Sequence, residues 1–207
     1  MLATNNRGKM REYAALLKDL PCKVVSMADH GVPPISETGK SLEENARLKA
    51  LACAAHSQLV SLGDDSGLEV DALGGEPGPL SARYAGEGAS DSDRVDYLLS
   101  RLKDVQWIER SARFRCVIAV ATPEGRVETC SGECRGLVAF APRGELGFGY
   151  DPIFYIPELD KTMAELPMET KNRVSHRGQA ARQVPGVLAK LGYCQREPAL
   201  NRIAQRK

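Results

Sequence analysis

The stretch "ARFRCVIAVATPEGRVETCSGECRGLVAF", residues 112–140, limits the fold more than any other. Two apolar-rich runs are separated by Pro123, Glu124 and Gly125, residues that favour a turn. A long antiparallel hairpin is expected there. Around it, helix and strand patterns alternate. Met10, Tyr13, Ala14 and Leu17 recur with the i, i+3, i+4, i+7 spacing of an amphipathic helix, and "KVVSM" at 23–27 reads as the strand after it. Ser41 and Glu44 form a capping-box pattern opening a helix that should reach about His56. "LVSLG" and "LEVDAL" read as two strands on either side of an aspartate pair. Val95, Leu98, Leu99 and Leu102 mark another helix, introduced by Ser90 or Asp91. Thr162 and Glu165 repeat the capping pattern, and a last helix should begin near Ser175 and be kinked or interrupted at Pro185-Gly186. The order reads as one α/β unit over residues 1–192 with two lobes around a cleft. The polar tail, 193–207, is expected to be solvated and partly disordered.

Composition narrows the class. Hydrophobic residues make up 43% and charged residues 27% of the 207, as in an ordinary globular chain. A net charge of +1 gives no bulk attraction to nucleic acid or to an anionic membrane. No apolar run approaches the roughly 18 residues that span a bilayer, and "MLATNNRGK" lacks the apolar core of a signal peptide. A cytoplasmic protein is expected. The six cysteines then read as reduced thiols, since Cys130 and Cys134 have the wrong spacing for paired zinc ligands and no histidine near them.

The residues with chemical potential come in blocks. In "LVSLGDDSGLEV", Asp64 and Asp65 follow an apolar run directly. Adjacent carboxylates repel, and burying either unpaired is costly, so a lysine, a metal ion or water is expected beside them. Magnesium usually takes one or two carboxylates and fills its shell with water and phosphate oxygens. Glu37 with Asp64 or Asp65 would meet that need, leaving an aspartate to orient a water and accept its proton. A bland turn, Asp64 capping and Asp65 in solvent, explains "DDSG" as well. In "ATNNRGKMRE" a turn enters a helix carrying Lys9 on its first turn, which suits a phosphate or is an ordinary asparagine-capped corner. "SETGKSLEENARLKA" leaves Glu37 and Lys49 without a structural role, while a solvated helix face accounts for Glu43, Arg47 and Lys40. "GFGYDPIF" can lay a ring on a nucleobase or plug a core. "KNRVSHRGQAA" sets Lys171, His176 and Arg177 at the entrance to a helix, three donors suited to an anion or a carbonyl-rich ring.

In their order, "ATNNRGK", "ETGKSLEENARLKA", "DDSGLEVDALGGEPGPLSARYAG", "RFRCVIA", "PRGELGFGYDPIF", "TMAEL" and "KNRVSHRGQA" closely resemble the inosine triphosphate pyrophosphatase family over roughly residues 2–192. The resemblance implies an elongated mixed sheet with helices on both sides, two lobes around an active-site cleft, and a homodimer. It implies cleavage of ITP, dITP or XTP to the monophosphate and pyrophosphate with Mg2+. Thr4, Asn5, Asn6, Arg7, Gly8 and Lys9 would hold phosphates, with Lys49 neutralising them. Glu37 and Asp65 match metal ligands, Asp64 supports that site, and Asp65 matches the proton acceptor. Ser66 would touch substrate. Phe148, Gly149, Tyr150, Asp151, Lys171, His176 and Arg177 match the nucleoside pocket. A divalent cation bridging the two aspartates to a polyphosphate would then be what makes their adjacency tolerable. A phosphohydrolase releasing orthophosphate, or a nucleotide sensor without catalysis, are the rival readings. The "SARY" block, Ser81 to Tyr84, carries no derivable chemistry and suits a structural or dimer-contact role.

Overall fold

The structure, a computed structural model, describes residues 1–193; the expected tail lies, beyond Tyr193, outside the described residues. Five strands lie in sequential antiparallel order: β1 (Ser61–Val70), β2 (Ser111–Ala121), β3 (Val127–Val138), β4 (Phe154–Ile156) and β5 (Lys161–Thr162). The hairpin of β2 and β3 turns at residues 122–126, where Thr122 and Arg126 pair across the turn. The sheet gains parallel character at one edge, where Leu2 bridges both Ser26 and Leu62. "KVVSM" forms that bridge and hydrogen bonds to Leu2, not the full strand expected: Leu2 offers it a single residue of backbone to pair with.

The second correction concerns the aspartate pair. No turn separates two strands there. β1 runs unbroken through it, with Asp64 opposite Ile118 and Asp65 opposite Val117. Side chains alternate along a strand, so the two carboxylates leave the sheet on opposite faces. That single fact organises the site.

Helix α2 (Leu42–Ser57) covers one face, packing Ala46, Ala50 and Ala54 on Val117, Ala119 and Ala121. Its alanines permit the approach, and so does Gly63, where a Cβ would lie 2.3 Å from the Ala46 carbonyl oxygen. Ser41 caps α2 by accepting from the Glu44 amide at 3.1 Å, while the Glu44 carboxylate accepts from Lys40 rather than from Ser41. The other face takes α1 (Arg7–Leu16), α5 (His176–Ala181) and α6 (Val184–Lys190), joined to the sheet through Tyr13, Leu17, Cys116, Ile118, Val120, Ala180 and Val184. The helix is interrupted between α5 and α6 at Arg182–Gln183, which lets Pro185 sit in the first turn of α6 where its missing N–H costs nothing. A separate helix, α4 (Met168–Val174), precedes α5 and was not expected. At the far end, α3 (Asp91–Arg101) is capped by a Ser90–Asp93 box and buries Val95 and Leu98 against Leu68, Val70, Phe114 and Phe154. The two lobes are thus built on two hydrophobic clusters of one continuous sheet.

Candidate active site

Asp64 and Asp65 each have their own cations. On the α2 face, Lys49 donates to Asp65 Oδ1 at 3.0 Å and to Glu37 Oε1 at 2.6 Å, and Asn45 donates to Asp65 Oδ2 at 3.1 Å. The Asn45 side-chain oxygen accepts from the Gly39 amide, so the loop carrying Glu37 is tied to the same helix. Burial raises the Asp65 carboxyl above its ordinary value, against the pull of Lys49 and Lys9. Burial would do the same to Glu37, but Lys49, Lys9 and Arg83 together outweigh it and hold Glu37 below its usual range. One ammonium therefore serves two carboxylates with opposite proton affinities.

On the α1 and α5 face, Asp64 is the hub. Its Oδ2 accepts from Tyr13 at 2.8 Å, Cys116 at 3.0 Å, Ser66 at 3.1 Å and Arg177 Nε at 3.3 Å, and its Oδ1 is paired with Lys9. Burial alone would raise this carboxyl, yet Lys9, Arg177 and Lys49 together pull it well below the usual range. Lysine and arginine neutralise the two carboxylates separately, because strand geometry has already parted them.

A fourth carboxylate, Glu12, ends the block "ATNNRGKMRE", where nothing in the sequence assigns it chemistry. It is 4% exposed, pairs with Lys171 at 2.6 Å and accepts from Arg177 at 2.7 Å. Lys171 also pairs with Asp151, whose Oδ2 accepts from the Phe148 amide at 2.9 Å. Lys171 sits on the last turn of α4 and not at the entrance to α5, so it reaches Arg177 through Glu12. α5 is brought in by Gly132, whose Cβ would stand 2.2 Å from the His176 carbonyl oxygen. His176 stacks on Phe114, with centroids 4.7 Å apart and planes 14° apart. Burial, followed by the nearby Arg177 charge, lowers its pKa well below the ordinary value. It is a neutral imidazole, with one donor and one acceptor, rather than a third cation.

A cleft of about 330 Å³ opens beside these groups. Thr4, Asn5, Asn6, Lys9, Glu37, Lys49, Asp65, Ser66, Phe148, Gly149, Tyr150, Asp151, His176 and Arg177, all expected, lie on its wall. Four expected residues do not. Arg7 is exposed on the first turn of α1, Gly8 lies beneath the Phe148 ring, and Asp64 and Lys171 are buried behind the wall as partners of residues on it. Asn6 caps α1 by accepting from the Lys9 amide at 3.0 Å, which fixes where Lys9 starts. The Phe148 ring has Lys171 4.9 Å and Arg177 5.5 Å from its centroid. The "SARY" block braces the wall: Ser81 accepts from the Leu68 amide and donates to Gly78, and its carbonyl accepts from Tyr150 at 2.9 Å. Among the described residues no three His, Cys, Asp or Glu side chains gather as a metal cluster, and five free cysteines stand apart from one another as thiols.

A model of the Ham1 family matches residues 1–186. The chain belongs to the Ham1 family. It is similar to curated relatives called dITP/XTP pyrophosphatase: that of Desulforamulus reducens is 50% identical over 192 residues, 92% of this chain and 96% of the relative. That of Geobacter sulfurreducens is 52% identical over 181 residues, 87% and 91% of the two chains. Solved Ham1 structures share the fold. A HAM1 protein from Coxiella burnetii matches with TM-score 0.83 at 43% identity, covering 91% of this chain and 97% of that one. A nucleoside-triphosphatase / dITP/XTP pyrophosphatase from Mycobacterium abscessus matches with TM-score 0.70 at 40% identity, covering 88% and 95%. The Ham1 fold is therefore the α/β architecture with a helix-flanked mixed sheet that the sequence blocks implied.

Proposed function

We propose that this chain hydrolyses non-standard purine nucleoside triphosphates, ITP, dITP and XTP, to the monophosphate and pyrophosphate, and so clears them from the nucleotide pool. The similarity to relatives named dITP/XTP pyrophosphatase supports the substrate class. The observation that carries the chemistry is the convergence of Glu37 and Asp65 on one ammonium, Lys49, in a cleft whose wall also holds Thr4, Asn5, Asn6 and Lys9.

In this reading the start of α1 and the two lysines receive the triphosphate, whose charge they offset. Asp65 takes the proton of the attacking water, its orientation fixed by Asn45 and Lys49. Two carboxylate oxygens that already meet at one cationic point suit magnesium, which needs only one or two carboxylates. Glu37 and Asp65 would hold it, with Asp64 supporting them from behind the strand. When bound, magnesium supplies Lewis-acid polarisation of phosphoryl oxygen. The base lies against Phe148, with His176 and Arg177 on the wall and Lys171 behind it. Arginine carries donors only, so Arg177 satisfies a 6-oxo group and opposes the 6-amino group of adenine, while Lys171 positions Asp151 and Glu12 around it. The neutral His176 supplies one donor or one acceptor. The protein acts in the cytoplasm as a homodimer, without nucleic-acid or membrane partners; among the described residues no helix is long and apolar enough to cross a membrane.

A panel of ITP, dITP, XTP, GTP and ATP with magnesium, read for both phosphate products, tests this. Pyrophosphate from the first three, with ATP turned over about a hundred-fold less efficiently or worse, is expected. Orthophosphate without pyrophosphate would replace the reading with a phosphohydrolase, and no turnover at all with a sensor.

A further inference from the structure

Asp91 belongs to neither acid–lysine cluster, yet it stands on the cleft wall beside Arg94. Its Oδ2 accepts from the Gly149 amide at 2.7 Å, and its Oδ1 is paired with Arg94. Arg94 donates in turn to the carbonyl oxygens of Ala82, at 3.1 Å, and Ala89. One carboxylate on the first turn of α3 therefore joins the loop of Phe148, through Arg94, to Ala82 of "SAR" and to Ala89 beyond it.

The joined loop is anchored elsewhere through Arg143, which pairs with Glu165, but only toward the chain that follows it. Residues 141–147 are exposed and form neither helix nor strand. Gly147 and Gly149 hold φ at +80° and +62°, a region that glycine enters freely and leaves as freely. Its other backbone hydrogen bonds, the Arg143 amide to Pro152, the Arg143 carbonyl from Thr162, Leu146 to Ala164 and Phe148 to Asp151, reach only residues 151–164. The tie to α3 is the Asp91 carboxylate. Hydrogen bonds to an ionised acceptor are the stronger kind, and a loop ordered before binding lowers the entropy that binding must offset.

We propose that Asp91 is a positioning residue for nucleoside recognition: by holding the Gly149 amide it sets the loop on which Phe148 meets the base. The inference rests on the proposed function only for the nature of the ligand. A carboxylate on a first helical turn also interacts with the helix dipole, and that plainer role is separable. Asp91→Asn keeps an acceptor for Gly149 and loses the charge, whereas Asp91→Ala loses both.

The experiment measures kcat and KM for dITP and XTP in the wild type, Asp91→Ala and Asp91→Asn, together with amide hydrogen exchange at Gly149 in the free proteins. Asp91→Ala should raise KM about ten-fold with kcat within about two-fold of wild type, the pattern of lost uniform binding. Its Gly149 amide should exchange faster, and Asp91→Asn should restore both quantities most of the way. Unchanged exchange in Asp91→Ala overturns the tether. Faster exchange with unchanged KM overturns the recognition role, and an Asp91→Asn variant as impaired as Asp91→Ala returns the residue to its dipole function. Exchange is read without substrate, so a wild type that released no pyrophosphate would count against the proposed function and leave the tether decidable.

Discussion

Asp64 is the residue whose environment departs furthest from what its neighbours in sequence suggest. Its carboxylate is 1% exposed and answers Lys9, Arg177, Tyr13, Ser66 and Cys116. A folded-state pKa held below the ordinary value adds stability that is complete above the unfolded value, near 4, and is lost as pH falls through the folded value. Asp64→Asn should therefore unfold in less urea than the wild type at pH 7, and the gap should narrow progressively below about pH 4. A gap of constant size across that range would show that ionisation of Asp64 adds nothing. The sequence made this residue conspicuous, since two adjacent acids after an apolar run demand a positive neighbour. It could not name that neighbour, because Arg177 lies 113 residues away along the chain. Glu12 escaped for the same reason: nothing in "KMRE" marks one acid as the buried link between two distant cations.

At the scale of elements, the site is an outcome of how closely helices approach the sheet. α2 brings Asn45 and Lys49 to Asp65, and α5 brings His176 and Arg177 to the opposite face. Gly132 sets the second approach. In Gly132→Ala the new methyl group meets the His176 carbonyl oxygen, so α5 must shift. Overpacking of this kind costs about 1–3 kcal/mol, and denaturant unfolding of the variant should show a loss of that size. A variant as stable as wild type would mean that α5 has slack the structure does not show. Helix periodicity and capping residues made α1, α2 and α3 legible, and the Pro-Glu-Gly turn made the β2–β3 hairpin so. The continuous β1 was misread as two strands because polar residues inside a strand look like its end when their partners lie elsewhere in the chain. α4 was missed because seven residues carry too little periodicity, and "KVVSM" was over-read because a β-rich run needs a long neighbour to become a strand.

For the whole molecule, one sheet serves two lobes and one strand carries both acids through the cleft between them. The family was legible because its blocks recur in order along nearly the whole chain; the division of labour between the two faces was not, since it depends on strand register. What the arrangement predicts about the reaction centres on Asp65, the half of the pair that faces Glu37 and Lys49 in the cleft. Asp65→Asn preserves size and keeps one acceptor oxygen for Lys49 or Asn45, while removing the proton acceptor. The decisive measurement is the rate of pyrophosphate release from XTP by Asp65→Asn, alongside its equilibrium affinity for the nucleotide. A rate lower by about 10²-fold or more, with affinity close to wild type, is expected. A wild-type rate in that variant would contradict that role for Asp65.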